Sequence, residues 1–251
     1  MPSSTASTAT ALASNAMAGS IPSEVYLPWL NQTIEIHWNY HAYLMTVVWF
    51  LLVPLAVFVL RFFKTKPTPN GIKKGTSNLD PKLICWTVHV FVLYPSIAIA
   101  LVGTILALVV SGGFSGSLHA IFGITTIFFG CMQVVSAWFR GTHGGERGAN
   151  SVPNDPSTWR GDHYDMTARR RWFEAYHKTA GYFTLALALG AMASGLMQFW
   201  MPVLGIALGL VLTAVLFLSV FLEGKGFRQD TYRSVYGNHP DHPYNKAREG
   251  L

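Results

Sequence analysis

The sequence predicts an all-α integral membrane protein, a five-helix transmembrane bundle. Its 251 residues are 51% hydrophobic and only 12% charged, about half the charged fraction of a soluble domain. Five continuous apolar stretches are long enough to cross a hydrocarbon core that needs about 20 residues. We expect helices, because an open sheet leaves backbone groups unpaired in lipid. The predicted helices span residues 41–62, 85–110, 117–138, 176–199 and 201–222.

The basic residues predict the orientation of these helices. All 18 Lys and Arg residues lie in three stretches: from the end of the first predicted helix to the start of the second, from the end of the third to the start of the fourth, and after the fifth. Positively charged loops stay cytoplasmic during membrane insertion, so we expect the N terminus outside and the C terminus in the cytoplasm. The net charge of +6 then reflects topology and contact with membrane lipid, and no nucleic-acid partner is expected. The predicted location is the plasma (inner) membrane of a bacterium.

The chain divides into three predicted regions. Residues 1–36 begin with the low-complexity run MPSSTASTATALASNAMAGS and are predicted to be a disordered external tail. Residues 37–223 form the membrane domain. Residues 224–251 are polar and contain proline, which predicts a cytoplasmic C-terminal tail.

Four histidines are placed regularly, one near the start of each of the first four helices. They are His41, His89, His119 and His177. Lipid offers an imidazole no hydrogen-bond partner, so something in the protein must satisfy each ring. Because consecutive helices run in opposite directions, His41 and His119 are expected to share the outer depth, and His89 and His177 the inner depth.

Two imidazoles that face each other inside a helix bundle are what a six-coordinate haem iron requires. Two pairs therefore predict two haems, with irons about 20 Å apart along the membrane normal. Gly123 and Gly181 follow His119 and His177 by one helical turn. A glycine on that face leaves room for a flat ring to approach the helix. A lone histidine is more often a packed core residue, but one per helix, paired by depth, favours metal ligands.

Three consecutive arginines, Arg169, Arg170 and Arg171, lie about two turns before His177. At that distance they would contact the propionates of an inner haem or an anionic reductant. Ordinary anchoring of a basic segment on the cytoplasmic side explains them equally well.

The segment from His37 to Glu223 resembles the membrane domain of the cytochrome b561 family, especially the type associated with DOMON domains. The similar motifs are HAYLM with LLVPLAVFVLRFF, WTVHVFVLYP, LHAIFGITTIFFGCMQ and RRRWFEAYHKTAGY. The resemblance implies two b-type haems ligated by the four histidines, and electron transfer across the membrane. Ascorbate as donor, with ferric or semidehydroascorbate acceptors, is typical of some relatives.

The sequence departs from that family type in two ways. Such proteins commonly have an additional helix before the first histidine helix, and a DOMON domain, and neither is present before His37. The missing helix predicts a partner subunit that covers the side of the bundle it would occupy. The missing domain leaves the external redox partner open among ascorbate, a quinol and a cytochrome.

The predicted function is electron transfer by a dihaem b-type cytochrome between an outer and a cytoplasmic partner, with no catalytic acid or base. One alternative is a quinol- or ascorbate-linked reductase with a substrate pocket beside one haem. It would need proton-handling groups, and the helix interiors contain no Asp or Glu. The other is a haem-containing accessory subunit of a larger respiratory or photosynthetic complex, which the short bundle favours.

The charge distribution makes the topology testable. A cysteine introduced near Ser115 should react with an impermeant thiol reagent from outside intact cells. A cysteine near Lys73 should react only after the cells are opened. Labelling of both positions from the same side would contradict the five-helix topology and the histidine pairing derived from it.

Overall fold

The structure is a computed structural model that describes residues 22–247, and it contains the predicted membrane helices. Five helices are long and apolar enough to cross a membrane, which identifies an integral membrane protein. They are α1 (Trp38–Phe62), α2 (Ile84–Val110), α3 (Leu118–Trp138), α4 (Ala168–Gln198) and α5 (Pro202–Gly224). The all-α membrane bundle predicted from apolarity is thus confirmed at the level of its helices.

Helix α4 begins well before the apolar stretch that predicted it. Thr167 caps the helix, with its side-chain oxygen accepting from the backbone N–H of Arg170 at 3.4 Å. The first turns are polar, so hydropathy alone predicted a start near residue 176. The extension places the three arginines and His177 on one continuous helix.

The first membrane helix is irregular at its centre. Residues Val47–Leu52 form a π-helical turn that ends two residues before Pro54. Proline has no backbone N–H, so the carbonyl one turn earlier lacks its usual partner and the helix accommodates a wider turn there. The widened turn carries Val48, Trp49 and Phe50 into the core of the bundle.

The helices approach closely where glycine meets a larger side chain. A Cβ atom at Gly190 of α4 would lie 3.0 Å from the ring of Phe122 on α3. A Cβ at Gly130 of α3 would lie 3.2 Å from Trp49 on α1. In lipid, such small residues permit the van der Waals packing that holds helices together. Helix α5 is peripheral, since Leu208 is its one buried residue and Leu204 and Leu212 are only partly buried against the core. Most of its other apolar side chains are exposed, where lipid would contact them.

The chain before α1 contains a β-hairpin, so the predicted tail is not disordered throughout. Strands β1 (Glu24–Leu27) and β2 (Gln32–Glu35) pair antiparallel. The indole N–H of Trp38 donates to the carbonyl of Pro22 at 2.7 Å and ties the hairpin to α1. Residues 1–21, the low-complexity part of that prediction, lie outside the described residues. We call this end of the bundle the hairpin end.

The segment predicted as a C-terminal tail is also folded over part of its length. It contains two short helices, α6 (Thr231–Tyr236) and α7 (Pro243–Lys246). Its buried side chains are Tyr232, Ser234, Val235, Tyr236, His242 and Asn245. These side chains are spread over short segments without helical or strand periodicity, and hydropathy therefore does not reveal the packing.

Three loop segments assemble around this segment into one structure, which we call the cap: residues 68–74, 141–165 and 231–245. The N–H of Ile72 donates to the carbonyl of Val235 at 2.8 Å. The hydroxyl of Tyr232 donates to the carbonyl of Tyr164 at 2.7 Å. The cap therefore closes the end of the bundle opposite the hairpin, which we call the cap end.

Two glycines test how tightly the cap is built. Gly71 and Gly75 both have positive φ angles, +66° and +86°, so alanine should cost about 1 kcal/mol at either. A Cβ at Gly71 would also overlap the backbone of Val235 and Tyr236, whereas one at Gly75 would meet no atom within 4 Å. Gly71→Ala should thus lower the thermal unfolding temperature of the detergent-solubilised protein by clearly more than Gly75→Ala, with an extra loss of roughly 1–3 kcal/mol. Equal losses would contradict this close contact.

Candidate functional site

The four histidines of the membrane helices lie in two neighbouring pairs. At the hairpin end, the ring centres of His41 and His119 are 6.2 Å apart, with the ring planes at 85°. At the cap end, the ring centres of His89 and His177 are 6.5 Å apart, with the planes at 68°. Each pair joins the two residues that were expected to share a depth.

The spacing within each pair fits one bound metal ion. An imidazole nitrogen binds a metal at about 2 Å and lies roughly 1 Å from its ring centre, so rings on opposite sides of one ion have centres roughly 6 Å apart. Among residues 22–247, no group of three or more His, Cys, Asp or Glu side chains is placed to hold a metal ion. Each pair could supply two imidazole ligands to a metal ion whose other ligands come from outside the protein.

The ring of His119 is oriented by the backbone of α4. Its Nδ1 lies 2.8 Å from the carbonyl oxygen of Ala191. A carbonyl only accepts, so Nδ1 carries the proton and Nε2 is left free to bind a metal. A Cβ at Gly195 would lie 2.8 Å from this same Nδ1. The His119 ring can therefore come this close to α4 only if residue 195 is glycine. Sequence reasoning missed Gly195, because glycine is common in membrane helices and gives no distinctive signal.

The ring of His177 is oriented by side chains of α3. Its Nδ1 lies 3.0 Å from the hydroxyl oxygen of Ser136, and that hydroxyl donates to the backbone carbonyl of Gln133 at 2.9 Å. Phe173 stacks on the His177 ring, with ring centres 5.0 Å apart. Neither Ser136 nor Gln133 was a predicted site residue.

The other two histidines make fewer polar contacts. The Nδ1 of His89 is buried without a hydrogen-bond partner of ordinary geometry, with the backbone of Ala56 beside the ring. His41 meets the edge of Trp38, with ring centres 6.1 Å apart. A buried ring nitrogen without a partner is uncommon and is consistent with a ligand role for the ring.

The two predicted glycines leave space beside the histidines. A Cβ at Gly123 would meet no atom within 4 Å. A Cβ at Gly181 would lie no closer than 3.7 Å to its nearest neighbour, the side chain of Gln133. Both faces are open enough for a flat ring, and the role of these glycines in binding one stays a prediction.

Of the three predicted arginines, Arg170 is bound to other protein groups. It is buried, forms an ion pair with Glu174 at 3.0 Å, and lies over the ring of Phe173. One of its terminal nitrogens is 3.3 Å from Nε2 of His163. Arg170 thus links the start of α4 to the cap.

Arg169 and Arg171 are exposed. The Nε of Arg169 donates to the backbone carbonyl of Phe139 at 3.0 Å. Contact with propionates or with an anionic reductant stays a prediction for these two residues, and membrane anchoring stays the alternative.

The cap also buries a cluster of imidazole and phenol rings. The ring centre of His163 lies 5.7 Å from that of His143 and 5.0 Å from that of Tyr236, and the Tyr236 hydroxyl donates to the His143 carbonyl. Burial, helped by neighbouring arginines, lowers the pKa of His143 to about 4. Burial and the Arg170 charge lower the pKa of His163 far below its ordinary value. Both imidazoles are therefore neutral at physiological pH.

A cavity of about 490 Å³ opens at the hairpin end. Its lining includes Pro22, Ile36, His37, Trp38, Tyr43 and Phe199. Trp38 lines this cavity, and its ring centre is 6.1 Å from that of His41. In the described segments at this end, 22–40, 111–117 and 199–201, the formally charged side chains are Glu24 and Glu35.

Comparison with models of protein families, with curated proteins and with solved structures found no match to this chain. What the molecule does must therefore be inferred from its own residues.

The buried cap histidines predict a loss of stability in acid. His163 stays neutral in the folded protein but takes up a proton more readily when unfolded, so the free energy of unfolding falls as the pH drops below about 6.5. By pH 5 the loss from this one residue should approach about 2 kcal/mol. His163→Gln should flatten the dependence of the unfolding temperature on pH between 7 and 5. His239→Gln, at a half-exposed ring, is the control, and an unchanged slope in His163→Gln would contradict the prediction.

Proposed function

We propose that this protein is a b-type cytochrome that binds two haems and carries electrons across the membrane. The observation that supports it is that four histidines form two pairs, one at each end of the bundle. The distance between the rings of each pair suits a single iron. His41 and His119 would hold the outer haem, and His89 and His177 the inner haem. The hairpin end is proposed to face outward and the cap end the cytoplasm of a bacterium, because positively charged segments stay cytoplasmic. All Lys and Arg residues lie in three stretches of the chain, 61–82, 140–178 and 225–248, which join the helices at the cap end or follow α5.

The haems and the protein residues would have different roles in this function. Each haem, when bound, supplies one-electron redox chemistry. The imidazoles of each pair would hold the haem iron, and the hydrogen bonds from His119 and His177 would fix which ring nitrogen is free to bind it. The helices set the distance between the two sites. The surrounding apolar side chains exclude water and so influence the potential at each site.

The hairpin end favours a second candidate, a quinol-linked reductase. Its formal charges are those of Glu24 and Glu35, which repel an anion such as ascorbate and leave an uncharged quinol unaffected. His37 lines the adjoining cavity and places an imidazole beside it. Reduction of the outer haem by a quinol but not by ascorbate would favour this candidate.

The proposed pairing is tested by removing one ligand at a time. His41→Ala or His119→Ala should remove the outer haem or change its absorption spectrum, and the double variant should lose little more, because both changes affect one site. His89→Ala and His177→Ala should do the same to the inner haem. A variant with one histidine of each pair replaced by alanine should lose the absorption spectra of both haems. Haem content and reduced-minus-oxidised spectra of purified protein measure these effects.

His37→Ala is the matched control, because this histidine lies beside α1 but outside both pairs. If His41→Ala and His119→Ala affected spectrally different haems, the pairing would be wrong. Full haem content with unchanged spectra in all four variants would contradict the electron-transfer function.

A further inference from the structure

We infer that Ser136 and Gln133 of α3 are positioning residues for His177, and that they tune the inner haem without affecting the outer one. This inference rests on the proposed function, because it concerns how the inner haem ligand is held. Ser136 is 4% exposed. It lies within one turn of Gln133, and both side chains reach the same ring nitrogen on α4.

The serine determines which nitrogen of His177 is free. A hydroxyl has one proton, and that of Ser136 is donated to the carbonyl of Gln133 at 2.9 Å. A lone pair of the oxygen therefore faces Nδ1 of His177, 3.0 Å away. Nδ1 must then carry the proton and donate it, which leaves Nε2 unprotonated. An unprotonated Nε2 is the form that binds iron.

The amide of Gln133 favours the opposite proton arrangement. With its nitrogen toward α4, it lies 3.0 Å from both Nδ1 and the carbonyl oxygen of His177, and its oxygen accepts from the N–H of Gly181 at 3.2 Å. In that orientation the amide donates to an unprotonated Nδ1, which leaves the proton on Nε2 and blocks iron binding. The opposite orientation would place the amide oxygen 3.0 Å from the carbonyl oxygen of His177 and the amide nitrogen against the N–H of Gly181, so it is disfavoured. Ser136 therefore opposes the arrangement that Gln133 alone would favour.

The outer site has no equivalent control by side chains. His119 donates to the backbone carbonyl of Ala191, an acceptor that remains when the side chain of residue 191 is changed. Donation from the second ring nitrogen makes an imidazole a stronger ligand and stabilises ferric over ferrous iron. Changing Ser136 should thus shift the redox equilibrium at one site only, and the outer haem serves as an internal reference within the same molecule.

The test is a redox titration of the purified full-length chain, with both haems followed by absorbance and the ferric forms by electron paramagnetic resonance. Ser136→Ala should shift the inner haem toward the ferrous form by about tenfold, or about 59 mV for one electron, and change its ferric resonance. The outer haem should not shift. Ser136→Thr keeps the hydroxyl and should restore the wild-type behaviour.

Two further variants sharpen the result. Gln133→Met removes the competing amide and should leave the inner haem bound with a smaller shift, because Ser136 still accepts the proton. Ser96→Ala is the control for loss of a buried hydroxyl. Ser96 is fully buried on α2, and its hydroxyl donates to its own helix at Val92.

The outcomes separate this inference from the function on which it rests. Wild-type protein without haem would contradict both. Two haems in the wild type, with no inner-specific change in Ser136→Ala, would contradict this inference alone, as would equal shifts of both haems. Loss of only the inner haem in Ser136→Ala, with retention in Ser136→Thr, would support the positioning role. Loss of both haems in both variants would show a purely structural role for this position.

Discussion

The inability of lipid to accept or donate a hydrogen bond is the constraint on which this structure depends. Backbone groups meet it by forming helices. The imidazoles cannot meet it alone, and two of the four are hydrogen-bonded to another helix. His119 finds the Ala191 carbonyl, and His177 finds Ser136. The pairing of rings, the placement of small residues and the few polar groups inside the bundle all follow from this need.

The close approach of α3 and α4 serves the site as well as the packing. Gly190 admits the ring of Phe122 and Gly195 admits the ring of His119, so the two helices come near enough for an imidazole on one to reach the backbone of the other. A larger residue at Gly195 would separate the ring from its acceptor. Residues that look like ordinary membrane packing thereby fix the proton on a proposed metal ligand.

Sequence alone was informative wherever a property depends on length or on chain direction. Apolar length predicted five helices, and alternation of direction predicted that His41 meets His119 and His89 meets His177. It failed where rotation about a helix axis or packing between loops decides the outcome. The contacts of Ser136 and Gln133 depend on how α3 is rotated against α4, which spacing along the chain does not encode. The hairpin and the cap are built from segments of four to six residues, such as those around Val25 and Tyr236, which are too short for hydropathy to reveal. The polar first turns of α4 hid its start at Ala168.

The link between the cap and the inner histidine pair follows from helix geometry. Arg170, Phe173 and His177 are spaced by three and four residues, so they lie along one face of α4. Arg170 stacks on Phe173, and Phe173 stacks on His177. At the other end of this row, Arg170 contacts His163 of the cap. A shift of the cap would therefore pass through three contacting groups to the ring of His177, which gives the folded loops at this end a direct physical connection to the proposed inner haem site.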